Sequence, residues 1–258
     1  MVKKFAVLYQ GHAPPPFKSF DNSTTIAKPL KPGGYKDSSA DIACALRSIS
    51  NTHQLSVILP TNSTPDETQD YDWCFPDTAE GIARAISLGA EYFFINTVLY
   101  ATHPILQFLD KNNALHITGG IVGHVPALVE EFDDKFHTNC RLASEAQIPV
   151  PITIIVSRTK ITNNNNSNVI VAHVDDIVAK MNELNLACPV IVKPIRGRGS
   201  QGVQLVQTLD KVEQACRDLL QYDWTGGQIM LEEYLSGDEV CWQVLVAATT
   251  LLLTFQKS

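Results

Sequence analysis

Residues 189–206 read Pro189-Val-Ile-Val-Lys193-Pro-Ile-Arg-Gly197-Arg-Gly199-Ser-Gln-Gly202-Val-Gln-Leu-Val206, and the fold turns on the purpose of those glycines. The run Gly197 to Gly202 fits G-x-G-x-x-G, a pattern found in more than one kind of nucleotide site. A dinucleotide-binding fingerprint needs a strand before the glycines and a helix after them, with the pyrophosphate at the helix N-terminus. Here Val203–Val206 is β-type. A Walker A loop needs Gly-Lys-Ser/Thr, and the sequence contains no Gly-Lys pair. A protein-kinase loop also runs strand, glycines, strand, but its phosphate-binding lysine follows the loop. Lys193 precedes it, and neither H-R-D nor D-F-G occurs. What remains is β-Lys-loop-β. Alternation puts Lys193 on the face of Ile191. Pro194 fixes the exit, and the glycines let the loop fold over phosphates, within reach of backbone N–H groups and the Ser200 hydroxyl. Arg196 and Arg198 add charge on a mobile tip. By itself the segment equally suits a surface β-hairpin with a flexible basic tip.

At 258 residues the chain suits one large domain or two small ones. Its formal net charge of −7 argues against non-specific nucleic-acid binding and against anionic membranes. A phosphate-binding cleft needs only a few local cations. Cys44, Cys74, Cys140, Cys188, Cys216 and Cys241 form no C-x-x-C pair and read as reduced thiols. The histidines are scattered, without H-E-x-x-H. The apolar part of Met1–Gln10 is too short for a signal peptide. The run Val244–Phe255 is too short for a membrane span. Together these features imply a cytoplasmic protein whose sequons at Asn22, Asn62 and Asn165 stay unmodified.

Strand and helix signals alternate in the first half. Phe5–Tyr9, Leu55–Leu59, Tyr92–Asn96 and Leu115–Ile117 read as strands. A Pro- and Gly-rich loop fills Gly11–Tyr35. Ser38-Ser-Ala-Asp41 reads as a capping box opening a helix, and Asp77 as the cap of another, with Glu80 behind it. This pattern implies a parallel sheet covered on both faces. In the second half, Phe132, Phe136, Cys140 and Ala143 form a helical stripe. Strands are expected at 152–156, 190–195, 203–206, 229–234 and in the apolar run 240–255, with helices at 175–184 and 209–220. Asn163–Asn168 is a low-complexity loop tip.

Two further features accompany the glycine loop. Asp134-Lys135 lies on an amphipathic helix before Ile148-Pro-Val-Pro151. Ile229-Met-Leu-Glu-Glu-Tyr-Leu-Ser-Gly-Asp-Glu239 ends a strand in two carboxylates. In this order the three motifs resemble the ATP-grasp superfamily, most closely its D-alanine–D-alanine-ligase-like branch, over residues 131–245. The resemblance implies an α/β protein: a Rossmann-like parallel-sheet domain over residues 1–125, then an incomplete ATP-grasp (α+β) domain over 126–258. It implies that Lys135 and Lys193 contact the ATP phosphates and that Gly199, Ser200 and Gly202 cover them. Glu232 would accept from the adenine amino group. The backbone of Glu233 and Leu235 would meet the adenine edge, and Glu239 the ribose hydroxyls. Ile191, Met230 and Leu231 would sandwich the base. The implied reaction joins a carboxylate to an amine through an acyl phosphate, with ATP and Mg²⁺ as cofactors. A homodimer is compatible with it.

The chain departs from that pattern twice. Gln10-Gly-His-Ala-Pro-Pro-Pro16 does not resemble the substrate-binding start of D-alanine ligases, which leaves both substrates open. Lys31–Asp37 is a candidate replacement. After Glu239 there is no Asp, Glu or Asn, where the family has its metal ligands. The sequence therefore suggests a C-terminally truncated ligase, inactive as it stands. The alternative is a catalytically silent nucleotide-binding or interaction protein.

Overall fold

The computed structural model describes residues 2–19, 22–28, 30–61, 64–159, 170–238, 240–247 and 250–257, the last two ranges as backbone only. β1 (Lys3–Tyr9) leads through a hairpin, β2 (Phe17–Lys18) and β3 (Thr25–Ile26), to α1 (Lys36–Ser48), α2 (Ser50–His53) and β4 (Leu55–Val57). β5 (Phe75–Pro76), α3 (Ala79–Ser87), β6 (Tyr92–Ile95) and β7 (Gly120–Val122) follow. Next come α4 (Pro126–Phe132), α5 (Lys135–Ser144), β8 (Thr153–Ser157), β9 (Val171–His173), α6 (Ile177–Glu183), β10 (Val190–Pro194), β11 (Gln204–Val206), α7 (Val212–Leu220) and β12 (Gln228–Glu233). β13 (Val240–Ala247) and β14 (Thr250–Lys257) pair antiparallel, so the apolar run 240–255 divides into two strands. The expected loop tip Asn163–Asn168 lies outside the described residues. Among the described residues no helix is long and apolar enough to cross a membrane.

The first sheet has the order β4-β1-β6-β7, with β5 beside the end of β1, and every pair is parallel. Parallel strands need crossovers, and helices on both faces supply them. Along β1, Ala6 and Leu8 join Ile82 and Ala85 of α3, while Val7 faces Ala40 and Ala43 of α1.

The structure corrects three local expectations. α1 begins at Lys36 behind a left-handed Tyr35, without a side-chain cap. Ser38 and Ser39 donate to the Tyr35 carbonyl and accept from Asn96 Nδ2 at 2.9 and 3.0 Å, so they tie the helix start to the end of β6. The cap of α3 is Thr78, whose hydroxyl accepts from Gly81 N–H. Asp77 is buried instead. It accepts the N–H groups of Gly11 and His12 at 2.7 and 2.6 Å and the Nε2–H of His103 at 3.0 Å. His103 Nδ1 accepts from Ile105 N–H, which puts the ring proton on Nε2. The strand expected at Leu115–Ile117 lies at Gly120–Val122. Gly119 there passes so close to Tyr92 that a Cβ would sit 2.6 Å from its ring, and its N–H bonds Glu91 O.

The second sheet runs β11-β10-β12-β8-β9, antiparallel except for β8 with β9. One face lies under α6 and α7. Val190 and Val192, Ile229 and Leu231, and Ile154 and Val156 bury there against Ile177, Met181 and the α7 stripe Val212, Ala215, Cys216, Leu219 and Leu220. A nine-residue helix such as α7 is marginal alone, so this stripe is what holds it.

Removing the Asp77 carboxylate leaves the buried His103 Nε2–H unmet, at about 1–3 kcal/mol, whereas the N–H groups of Gly11 and His12, on exposed residues, can turn to water. Asp77→Ala should therefore lose about 1–3 kcal/mol of stability in urea unfolding. A loss below about 1 kcal/mol would mean that His103 finds another acceptor.

Candidate nucleotide-binding site

The other face of the second sheet carries the chemistry. Register puts Ile191 beside Glu232 and Lys193 beside Met230, with Thr153 beyond Glu232 on β8. Residues paired across strands share a face. Lys193, Glu232 and Thr153 therefore project together, away from α6 and α7. α5 covers this face, and Phe136 packs against Ile155, Ile195 and Met230. Leu231 was expected to flank the base but sits on the opposite face, in the core under α6 and α7. Alternation along β12 requires this once Met230 and Glu232 face the site.

Glu232 is 4% exposed. Its Oε2 is ion-paired with Lys193 Nζ. Its Oε1 accepts from Asn139 Nδ2 at 2.9 Å and more distantly from the Thr153 hydroxyl. Glu233 uses its N–H on Ile152 O, while Leu235 is 63% exposed just beyond the strand. Glu239 lies outside the described residues.

Lys135 is the first residue of α5, and Asp134 caps that helix by accepting from His137 N–H. The Lys135 backbone N–H bonds Ile195 O, and its Nζ donates to Ile195 O and Gly197 O at 3.3 and 2.9 Å. Lys135 thus grips the root of the glycine loop from below. Burial, chiefly, pulls its pKa below the usual lysine value. Lys193 and Arg198 push the same way, and Asp133 opposes them.

The loop itself is two tight turns. Gln201 N–H bonds Arg198 O, and Val203 N–H bonds Ser200 O. Gly199, Ser200 and Gly202 all have positive φ, at 59, 57 and 73°. Gly199 and Ser200 are exposed, and their N–H groups, like that of Gly202, take no acceptor among the described residues. Two lysines and three open N–H groups suit a polyphosphate. A divalent cation needs several hard oxygen ligands. Among the described residues no three His, Cys, Asp or Glu side chains come together, and the Glu232 oxygens are already engaged. These residues do not fit a metal centre.

The arginines are placed differently from their expectation. Arg198 is no mobile tip. It bonds the Tyr100 hydroxyl and pairs with Asp133 at 2.9 Å. Arg196 pairs with Asp134 at 2.7 Å and lies over the Phe17 ring. The sequence reading missed Asn139, Thr153, Tyr100, Asp133 and Lys28. Asn139 had a signal, since it lies four residues beyond Lys135 on the same helix face. Tyr100 had none. A cavity of about 670 Å³ lies elsewhere, between the β2–β3 hairpin and the end of β8, and contains none of the expected site residues.

Two measurements test this geometry. A left-handed residue other than glycine costs roughly 1–2 kcal/mol. Gly199 faces open space, whereas a Cβ on Gly202 would meet Leu219 Cδ1 at 2.8 Å and Trp224 at 3.1 Å. Urea unfolding should therefore show Gly202→Ala less stable than Gly199→Ala by at least about 1 kcal/mol. Burial opposes ionisation of Asp133, but hydrogen bonds and charge from Lys28 and Arg198 outweigh it and hold its pKa below the ordinary 3.8. Its contribution is fully present above that value and disappears as pH falls through the lowered one. Wild type should lose stability more steeply than Asp133→Asn below about pH 4.

Residues 142–256 match the family described as D-ala D-ala ligase C-terminus. A D-alanine–D-alanine ligase of Clostridium perfringens (strain SM101 / Type A) is 36% identical over 77 residues, covering 30% of this chain and 24% of that protein. The chain thus matches about a quarter of that relative's length. Among solved structures, the VanG D-Ala:D-Ser ligase of Enterococcus faecalis has a TM-score of 0.53 at 17% identity, covering 98% of this chain and 68% of that one. The biotin carboxylase domain of the Hydrogenobacter thermophilus 2-oxoglutarate carboxylase, solved with MgADP, ADP and bicarbonate, has a TM-score of 0.54 at 16% identity, covering 98% and 49%. These structural likenesses establish the fold. Over residues 142–256, less than half of its length, the chain is thus similar to the C-terminal part of D-alanine–D-alanine ligases.

Proposed function

We propose that the chain carries the nucleotide-binding part of an ATP-dependent carboxylate–amine ligase. The observation that carries this reading is the shared face of β10 and β12, where Lys193 and Glu232 meet beside the glycine loop and above Lys135. Glu232 is an acceptor-only group, suited to the adenine amino group. Lys135 and Lys193 would offset phosphate charge. The loop N–H groups would cradle phosphate oxygens. Glu239 would take the ribose hydroxyls, and the backbone at Glu233 and Leu235 the adenine edge.

In the proposed reaction a substrate carboxylate oxygen bonds to the γ-phosphorus of ATP, and ADP leaves. The amine of the second substrate then bonds to the acyl carbon, and inorganic phosphate leaves with the original carboxylate oxygen. Positioning and charge neutralisation supply most of the catalysis in such transfers. Mg²⁺ is the ion expected with ATP in this family. The described residues offer it no centre, so no step is assigned to it. One feature supports a substrate at the end of β1. Gln10 is 7% exposed, and its Oε1 has no partner among the described residues. A buried acceptor of this kind suits a donor group, an amine or hydroxyl, on a bound molecule.

Titration with labelled nucleotides tests the reading. Lys135→Met should weaken ATP roughly 10- to 100-fold, the loss of a charge-assisted hydrogen bond, and leave adenosine unaffected. Glu232→Gln should reduce preference for ATP over GTP by about tenfold or more. Wild-type protein that binds ATP and GTP alike, or Lys135→Met that keeps full ATP affinity, would overturn these roles.

A further inference from the structure

The glycine loop is held at its tip by side chains that the proposed ligation does not use. Arg198 Nη2 donates to the Tyr100 hydroxyl and to Asp133 Oδ1. Asp133 Oδ2 accepts from Lys28 Nζ at 2.6 Å. The side chains of Lys28, Asp133 and Arg198 are 9, 10 and 18% exposed, and Tyr100 is 3% exposed. Both cations also lie over the Tyr100 ring, Lys28 Nζ at 4.8 Å and Arg198 Cζ at 5.3 Å from its centre. These groups come from four separate places: the segment before α1, the loop after β6, the link between α4 and α5, and the glycine loop.

Two cations share one carboxylate, so the cluster holds an excess positive charge away from water. The Tyr100 ring face and phenol oxygen meet part of it. Burial, with Asp133 second, pushes the phenol pKa up to about 12, while Asp133 stays ionised at ordinary pH. The loop has no apolar core of its own, and three of its residues hold left-handed backbone. Ordering such a segment costs conformational entropy that its two turns alone do not offset.

We propose that Tyr100, Asp133 and Lys28 are positioning residues that act through Arg198 to latch the glycine loop onto the first sheet's end of the molecule before any nucleotide arrives. The proposal rests on the nucleotide reading only for what the latched loop then holds. Arg198 serves because the two N–H groups of its Nη2 are fixed in the guanidinium plane and meet both acceptors, a rigid geometry that a lysine ammonium at the end of a flexible stem does not reproduce.

Residue-level hydrogen exchange on the full chain, without nucleotide, tests this. The Gln201 and Val203 amides report the two turns. Tyr100→Phe removes only the hydroxyl and should speed exchange at both amides about tenfold, with β10 and α7 unchanged. Arg198→Lys should do the same despite keeping the charge. Asp133→Asn should loosen the loop further. Should it fail to fold, the first two variants still decide. Unchanged exchange at Gln201 and Val203 in both Tyr100→Phe and Arg198→Lys overturns the latch. ATP titration in the same samples separates this from the functional reading. Roughly tenfold weaker ATP binding by Tyr100→Phe supports both. A wild type that binds no ATP, with a loop that still loosens in the variants, removes the nucleotide role and leaves the latch standing.

Discussion

A carboxylate that keeps 4% of its surface exposed in the middle of a sheet must be answered by other groups, and Glu232 is the one on which this arrangement depends. An unpaired buried charge costs several kcal/mol, so partners have to be brought to it. They come from three elements: Lys193 on β10, Thr153 on β8 and Asn139 on α5. Meeting all three at once sets the register of the central strands and seats α5 on the sheet. A slip of β12 by one residue would turn Glu232 under α6 and α7, among Ile177, Met181 and Leu219, where no cation reaches it.

The second sheet therefore divides its work by face. The face toward α6 and α7 is aliphatic and supplies stability. The face toward α5 concentrates Lys135, Lys193, Arg196 and Arg198 within a chain of net charge −7. Asp133, Asp134 and Glu232 neutralise part of that charge, and burial, chiefly, holds the Lys135 pKa below the usual lysine value. On the proposed reading, a polyanion entering beside the loop would take over as counter-charge.

The contacts that join this face to the rest of the molecule are long in sequence. Arg198 reaches Tyr100 over 98 residues, and Lys28 reaches Asp133 over 105. The Asp77–His103 pair plays a comparable part in the first sheet, fixing the loop after β1 by its backbone N–H groups. In both places a buried carboxylate gathers donors from distant segments. Function is accordingly proposed for surfaces whose geometry is set by polar contacts as much as by hydrophobic packing.

Local chemistry was legible in the sequence. A lysine before the glycines, β-type residues after them and paired carboxylates ending a strand carry the resemblance to D-alanine–D-alanine ligases, because they depend on spacing along one strand or turn. The α7 stripe is legible for the same reason, since residues at helical spacing must share a face. The tertiary structure decided whatever depends on partners far along the chain. It turned Asp77 from a helix cap into a buried anchor and Arg198 from a free tip into a tether. It put Leu231 in the core and moved the strand expected at Leu115–Ile117 to Gly120–Val122. The physical reason is common to all four. A side chain's local preference is worth about 1 kcal/mol, whereas leaving a buried charge, a packed aliphatic face or a sheet edge unsatisfied costs more.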